Sequence, residues 1–141
     1  MATSDLPNDL YEKGMAMRTE LLGEDFVQQM NKSTYEDPVM QKFRTVVAEN
    51  VFGALWSRPG LDLKTRTLIC IIADTAQGCE AELAFHLRMA RRQGWTEDEL
   101  TEALIHLTGY LGILPVRGAM LTASRVFREM REEGGDGEGA G

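Results

Sequence analysis

Apolar residues recur along this chain at spacings of three and four, with no sustained alternation, and the four prolines leave long stretches uninterrupted. That period predicts helices throughout. Residues 8–22 read as a first helix, with Leu10, Met17, Leu21 and Leu22 apolar and Gly23 just past its end. Glu24 to Met30 is a short second helix, and the polar run from Asn31 to Glu36 a loop. Asp37 can cap a helix with Pro38 in its first turn, running to about Leu55 with Val39, Phe43, Val46, Val47, Val51 and Leu55 apolar. Ser57-Arg58-Pro59-Gly60 reads as a turn. The most apolar helix spans 62–77 and is broken by Gly78; the next covers 79–93 and closes at Gly94. Thr96-Glu97-Asp98-Glu99 has the form of a capping box, opening a helix to about Gly112 with Leu100, Ala103, Leu104, Leu107 and Leu111 on one stripe. Leu114-Pro115 should interrupt it before a last helix over 116–132.

The expected fold is therefore all-α: one domain of about six helices over residues 1–132, then a glycine-rich tail over 133–141 too apolar-poor to be ordered. The helix over 62–77 carries apolar residues on more than one face, which points to burial beyond what one small subunit supplies, hence an oligomer.

Length and charge narrow the function classes. At 141 residues one core is the economical reading. A net charge of −7 disfavours nucleic acid and anionic membrane as partners. No apolar run approaches the ~20 residues of a membrane span. The opening MATSDLPNDLYEK has neither the basic nor the apolar part of a signal peptide. Cys70 and Cys79 are too few for a disulfide framework, and nothing argues that they pair; a reducing, cytoplasmic setting is expected.

The side chains that can carry chemistry begin with Cys79, Glu82 and His86, at i, i+3 and i+7 on one helix face. Glu82 one turn before His86 could fix the imidazole tautomer and bias its protonation, as a general acid or base requires; an ordinary surface pair is the plainer alternative. One Cys, one Glu and one His do not form a recognised metal spacing, so no metal is expected. Cys79 at a helix start is either a reactive thiol or a small filler, and Glu82 stands where a redox partner thiol would be needed. Arg58, Lys64 and Arg66 cluster around the turn and can hold a carboxylate, or form a solvated turn. His106 and Tyr110 form another i, i+4 pair, read as packing residues with a satisfied polar tip.

Taken together, YEKGMAMRTELLG (11–23), WSRPGL (56–61), Lys64-Thr65-Arg66, Glu82-Leu83 with His86, Gly94 and Tyr110-Leu111-Gly112 resemble the γ-carboxymuconolactone decarboxylase family, over roughly residues 10–130. The wider superfamily includes alkylhydroperoxidase-D-type proteins with a CxxCxxxH motif; Cys79 and His86 fit it, but Glu82 replaces the second thiol, which disfavours peroxide reduction. The resemblance implies an all-helical homotrimer or homohexamer without cofactor. It implies His86 as the acid/base, with Glu82 beside it, and Trp56, Arg58, Arg66, Cys79 and Tyr110 at the substrate. It implies a lyase or isomerase acting on a small carboxylated or enolisable compound; a non-catalytic acid-binding or assembly protein is the alternative. Ala54 stands where family members carry an acidic residue, Cys79 where they carry Arg, and Arg117 where Asn often follows, which points toward a divergent substrate, as in secondary metabolism.

Overall fold

The computed structural model describes residues 9–134. Among them every regular element is helical: α1 (Asp9–Leu22), α2 (Glu24–Lys32), α3 (Pro38–Val47), a π-helical segment (Ala48–Trp56), α4 (Leu63–Gln77), α5 (Glu80–Arg92), α6 (Glu97–His106), α7 (Thr108–Leu111) and α8 (Ile113–Gly134). The all-α expectation holds. The helices fall into two compact units, one within Met1–Leu61 and one within Asp62–Gly141.

Local chemistry explains most boundaries. The Asp37 side chain accepts from the Val39 amide and Pro38 occupies the first turn of α3. Asp62 caps α4 by accepting from the Thr65 amide at 2.7 Å. The capping box at α6 is complete: the Glu99 amide donates to Thr96 Oγ1, and the Thr96 amide donates to Glu99 Oε1.

Three boundaries differ from the sequence pattern. The long third helix is α-helical only to Val47, then widens into the π segment. Gly14 and Gly53 lie where α1 meets that segment. A Cβ on Gly14 would collide with the Ala48 carbonyl, and one on Gly53 with the Leu10 carbonyl. The contact is one of backbone on backbone, invisible to a side-chain period. Second, the break before α8 is made by Gly112 at φ 89°, not by Leu114-Pro115. Pro115 sits in the first turn of α8, where its missing N–H has no intrahelical partner to lose. Third, α8 runs through Gly134, so Glu133 and Gly134 are helical; the rest of the expected tail, 135–141, lies outside the described residues.

In the C-terminal unit, α8 packs against α4, α5, α6 and α7. Its core holds Ile71, Leu83, Leu87, Leu104, Val126 and Phe127. In the N-terminal unit, α1 packs on the π segment. Its apolar α3 and π positions, Val39, Phe43, Val46 and Leu55, remain exposed.

Candidate active site

α4 ends in a glycine turn that folds α5 back alongside it. Gly78 adopts the left-handed conformation at φ 69°, and the Cys79 amide donates to the Asp74 carbonyl at 3.0 Å across the turn. This brings together residues twelve apart. His86 Nδ1 and Asp74 Oδ2 are 2.6 Å apart, with both side chains largely withdrawn from solvent. The Phe85 ring meets the imidazole edge-on, at 5.4 Å between centroids.

The His86 partner is thus Asp74 from the preceding helix, in place of the expected Glu82, which is exposed on α5. The physical reason is direction. Glu82 precedes His86 on its own helix, where both can point to solvent, whereas Asp74 reaches across the α4–α5 hairpin from a half-buried position. A carboxylate in the last turn of a helix faces the negative end of the helix dipole, so it needs another interaction to be retained there. That misfit, in the most apolar of the long α-helices, is the sequence signal that marks Asp74.

Arg66, Cys70 and Asp74 follow at i, i+4 and i+8 and share one face of α4. Cys70 is pushed up to about 11, by burial first and by the Asp74 charge second. Lys64, expected to join the basic cluster, instead lies over the Trp95 ring at 4.4 Å, while Trp95 Nε1 donates to the Lys64 carbonyl. Trp56 is buried in the N-terminal unit, stacked on Phe52, and Arg58 is exposed in the turn that follows. Cys79 is half-buried at the start of α5; it and Cys70 are both free thiols. His106 and Tyr110 do stack, at 5.3 Å, but they are exposed and not core packing residues, Tyr110 at 76%. The α7 turn carries Tyr110 off the stripe that buries Leu100 and Leu104. His106 lines an open cleft of about 670 Å³ with Trp95, Glu99, Glu102 and Ile105. No helix among the described residues is long and apolar enough to cross a membrane.

An all-helical scaffold with a carboxylate-held histidine on a helical hairpin narrows the class, and comparison with known proteins defines it. Residues 41–125 match the model of the carboxymuconolactone decarboxylase family, and the chain belongs to that family, with its alkylhydroperoxidase-D-like fold. It is 37% identical over 120 residues to a 4-carboxymuconolactone decarboxylase of Acinetobacter baylyi, covering 85% of this chain and 88% of that one. It is 31% identical over 137 residues to a nitrosuccinic acid decarboxylase of Metarhizium robertsii, covering 94% of each. The protein is a decarboxylase-like enzyme.

Proposed function

We propose that the chain is a cofactor-free decarboxylase in which His86, held by Asp74, delivers a proton to carbon of the delocalised anion left when CO2 departs, with migration of the double bond in a lactone substrate. The hydrogen bond between Asp74 and His86 Nδ1 carries this reading. A carboxylate on Nδ1 fixes the proton there and leaves Nε2 as the nitrogen that exchanges protons with a substrate.

The substrate class follows from chemistry common to the acids in the two relatives' names. In 4-carboxymuconolactone and in nitrosuccinic acid, the departing carboxylate leaves an electron pair that spreads into a group already in the molecule, a lactone carbonyl or a nitro group. Such a substrate supplies its own electron sink, which supports the cofactor-free reading. The C–CO2 bond breaks, CO2 leaves, and the pair moves onto oxygen. The pair then returns to carbon as His86 Nε2 gives up its proton, and solvent reprotonates the ring. The substrate is a small carboxylic acid with an electron-withdrawing neighbour. Ala54, in place of an acidic residue expected in the family, supports an acid other than the lactone.

Arg66, on the same face of α4 as Asp74, is the proposed holder of a substrate carboxylate or oxyanion. Trp56, Arg58, Cys79 and Tyr110 keep their proposed substrate role on the family resemblance; Glu82 loses its place beside the imidazole. A homotrimer or homohexamer is proposed on the exposed apolar faces of α3 and α4, the latter showing Ile69 and Ile72. Two free thiols support a cytoplasmic setting.

The test is CO2 release from 4-carboxymuconolactone and from nitrosuccinic acid by the purified chain and by His86→Ala. The variant should lose about 10²–10⁴-fold in kcat on whichever acid is turned over, with unchanged helix content by circular dichroism. Undiminished turnover in His86→Ala would overturn the mechanism.

A further inference from the structure

The N-terminal unit holds a second cluster of charge, unrelated to His86. Arg18 on α1 is only 3% exposed, the one charged side chain buried to that degree among the described residues. Its Nη1 donates to Asn31 Oδ1 at 3.3 Å, and Arg44 Nη1 on α3 donates to the same oxygen at 3.0 Å. The Arg18 guanidinium also lies over the Tyr35 ring at 5.0 Å. Two cations therefore converge on one neutral acceptor. Arg18 Nη2 and Arg44 Nε are buried and make no hydrogen bond. Neither arginine forms an ion pair among the described residues. The groups that act on Arg18 are consistent with this: burial lowers its pKa most, Arg44 lowers it further, and only Tyr35 and Tyr11 act the other way.

Burying like charges around a neutral amide is costly, and each buried N–H without an acceptor adds to that cost. A single negative group relieves both. It must be acceptor-only, small enough to enter between α1, α2 and α3, and matched to two spare N–H groups. Those requirements describe a carboxylate, whose two oxygens can accept one N–H from each of the two guanidiniums.

We propose that Arg18, Arg44 and Asn31 form a binding site for a small carboxylate, separate from the catalytic histidine. The site is built before the ligand arrives, because Asn31 already holds both arginines in place.

The test is isothermal titration of the full chain with malonate at constant ionic strength, with melting temperature followed in parallel against chloride. Saturable binding is expected. Arg44→Gln should raise Kd about tenfold or more, the loss typical of one charge-assisted hydrogen bond, and should not lower the melting temperature in chloride, since a like charge is removed. Asn31→Asp supplies the negative charge from within; it should raise the melting temperature in chloride and abolish malonate binding. Arg125→Gln, an exposed change in the other unit outside the proposed active site, should bind malonate as the parent does. The assignment is overturned by a linear, unsaturable response, by binding that survives undiminished in Arg44→Gln, by binding that is lost in Arg125→Gln, or by an Asn31→Asp variant that melts lower than the parent. Tighter binding of inorganic phosphate than of malonate would overturn the carboxylate class.

Discussion

The C-terminal unit gathers large side chains, Leu83, Leu87, Leu104, Val126 and Phe127 meeting around α8, whereas in the N-terminal unit backbone meets backbone where α1 crosses the π segment. There the close approach is glycine to carbonyl, at Gly14 against Ala48 and Gly53 against Leu10, and the large apolar residues of α3 turn outward, Val39 at 73% exposure. The difference teaches where each unit is vulnerable. A core of side chains tolerates loss of volume at a graded cost, while a backbone crossing tolerates no addition at all, because the atoms in the way cannot rotate aside.

The comparison can be broken most sharply at the crossing. Gly14→Ala should cost more than about 3 kcal/mol, at or above the upper end of ordinary overpacking, and should loosen α1 from the π segment. Urea unfolding followed by Trp56 fluorescence measures it; a change below 1 kcal/mol would mean that the helices can slide apart cheaply. In the other unit, Leu104→Ala removes a side chain with no solvent exposure and should cost about 2–5 kcal/mol. The outward face of α3 offers a different contrast. Changing Val39 and Phe43 together to Ser should leave the fold of a single subunit nearly unaffected, while light scattering should show the mass of the proposed trimer or hexamer falling to that of a monomer. An unchanged assembly would remove α3 from the interface.

Smaller effects sharpen the C-terminal side. Thr96→Ala should cost about 1 kcal/mol through loss of the α6 cap. The Glu99 carboxyl is held below its usual range, first by the hydrogen bond from the Thr96 amide. A carboxyl depressed in the folded state adds stability that is present above its unfolded pKa and lost as pH falls through the folded one. Glu99→Gln should therefore flatten the acid limb of the stability curve without changing its shape near neutrality.

Sequence and structure agree where the determinant is local. Asp37-Pro38, the Thr96 capping box and Gly78 each act within one turn, so the residues alone place the helix ends. The π segment was not legible, because its cause is the approach of α1, some forty residues earlier in the chain. Nor was the Asp74–His86 pair. The i, i+4 rule finds partners on one helix and selects Glu82, whereas the true partner depends on how the α4–α5 hairpin closes. His86 is singled out by spacing and by the family motif together, and the structure pairs it with Asp74. His106 and Tyr110, expected to pack with a satisfied polar tip, are exposed because the short α7 turn, which displaces Tyr110, has no periodicity long enough to read.

The choice between Asp74 and Glu82 is also the most direct way to test the proposed site. Steady-state decarboxylation should be compared for the parent, Asp74→Asn and Glu82→Gln, on the acid that the parent turns over. Loss of the carboxylate that orients the imidazole should lower kcat by about 10²-fold with little change in KM, as expected when a reacting group is misplaced. Glu82→Gln should remain within about twofold of the parent, since that side chain is exposed and Nδ1 is already held by Asp74. The reverse result, a large loss in kcat for Glu82→Gln and parental turnover for Asp74→Asn, would contradict the placement of the proton-transfer machinery on the Asp74–His86 pair.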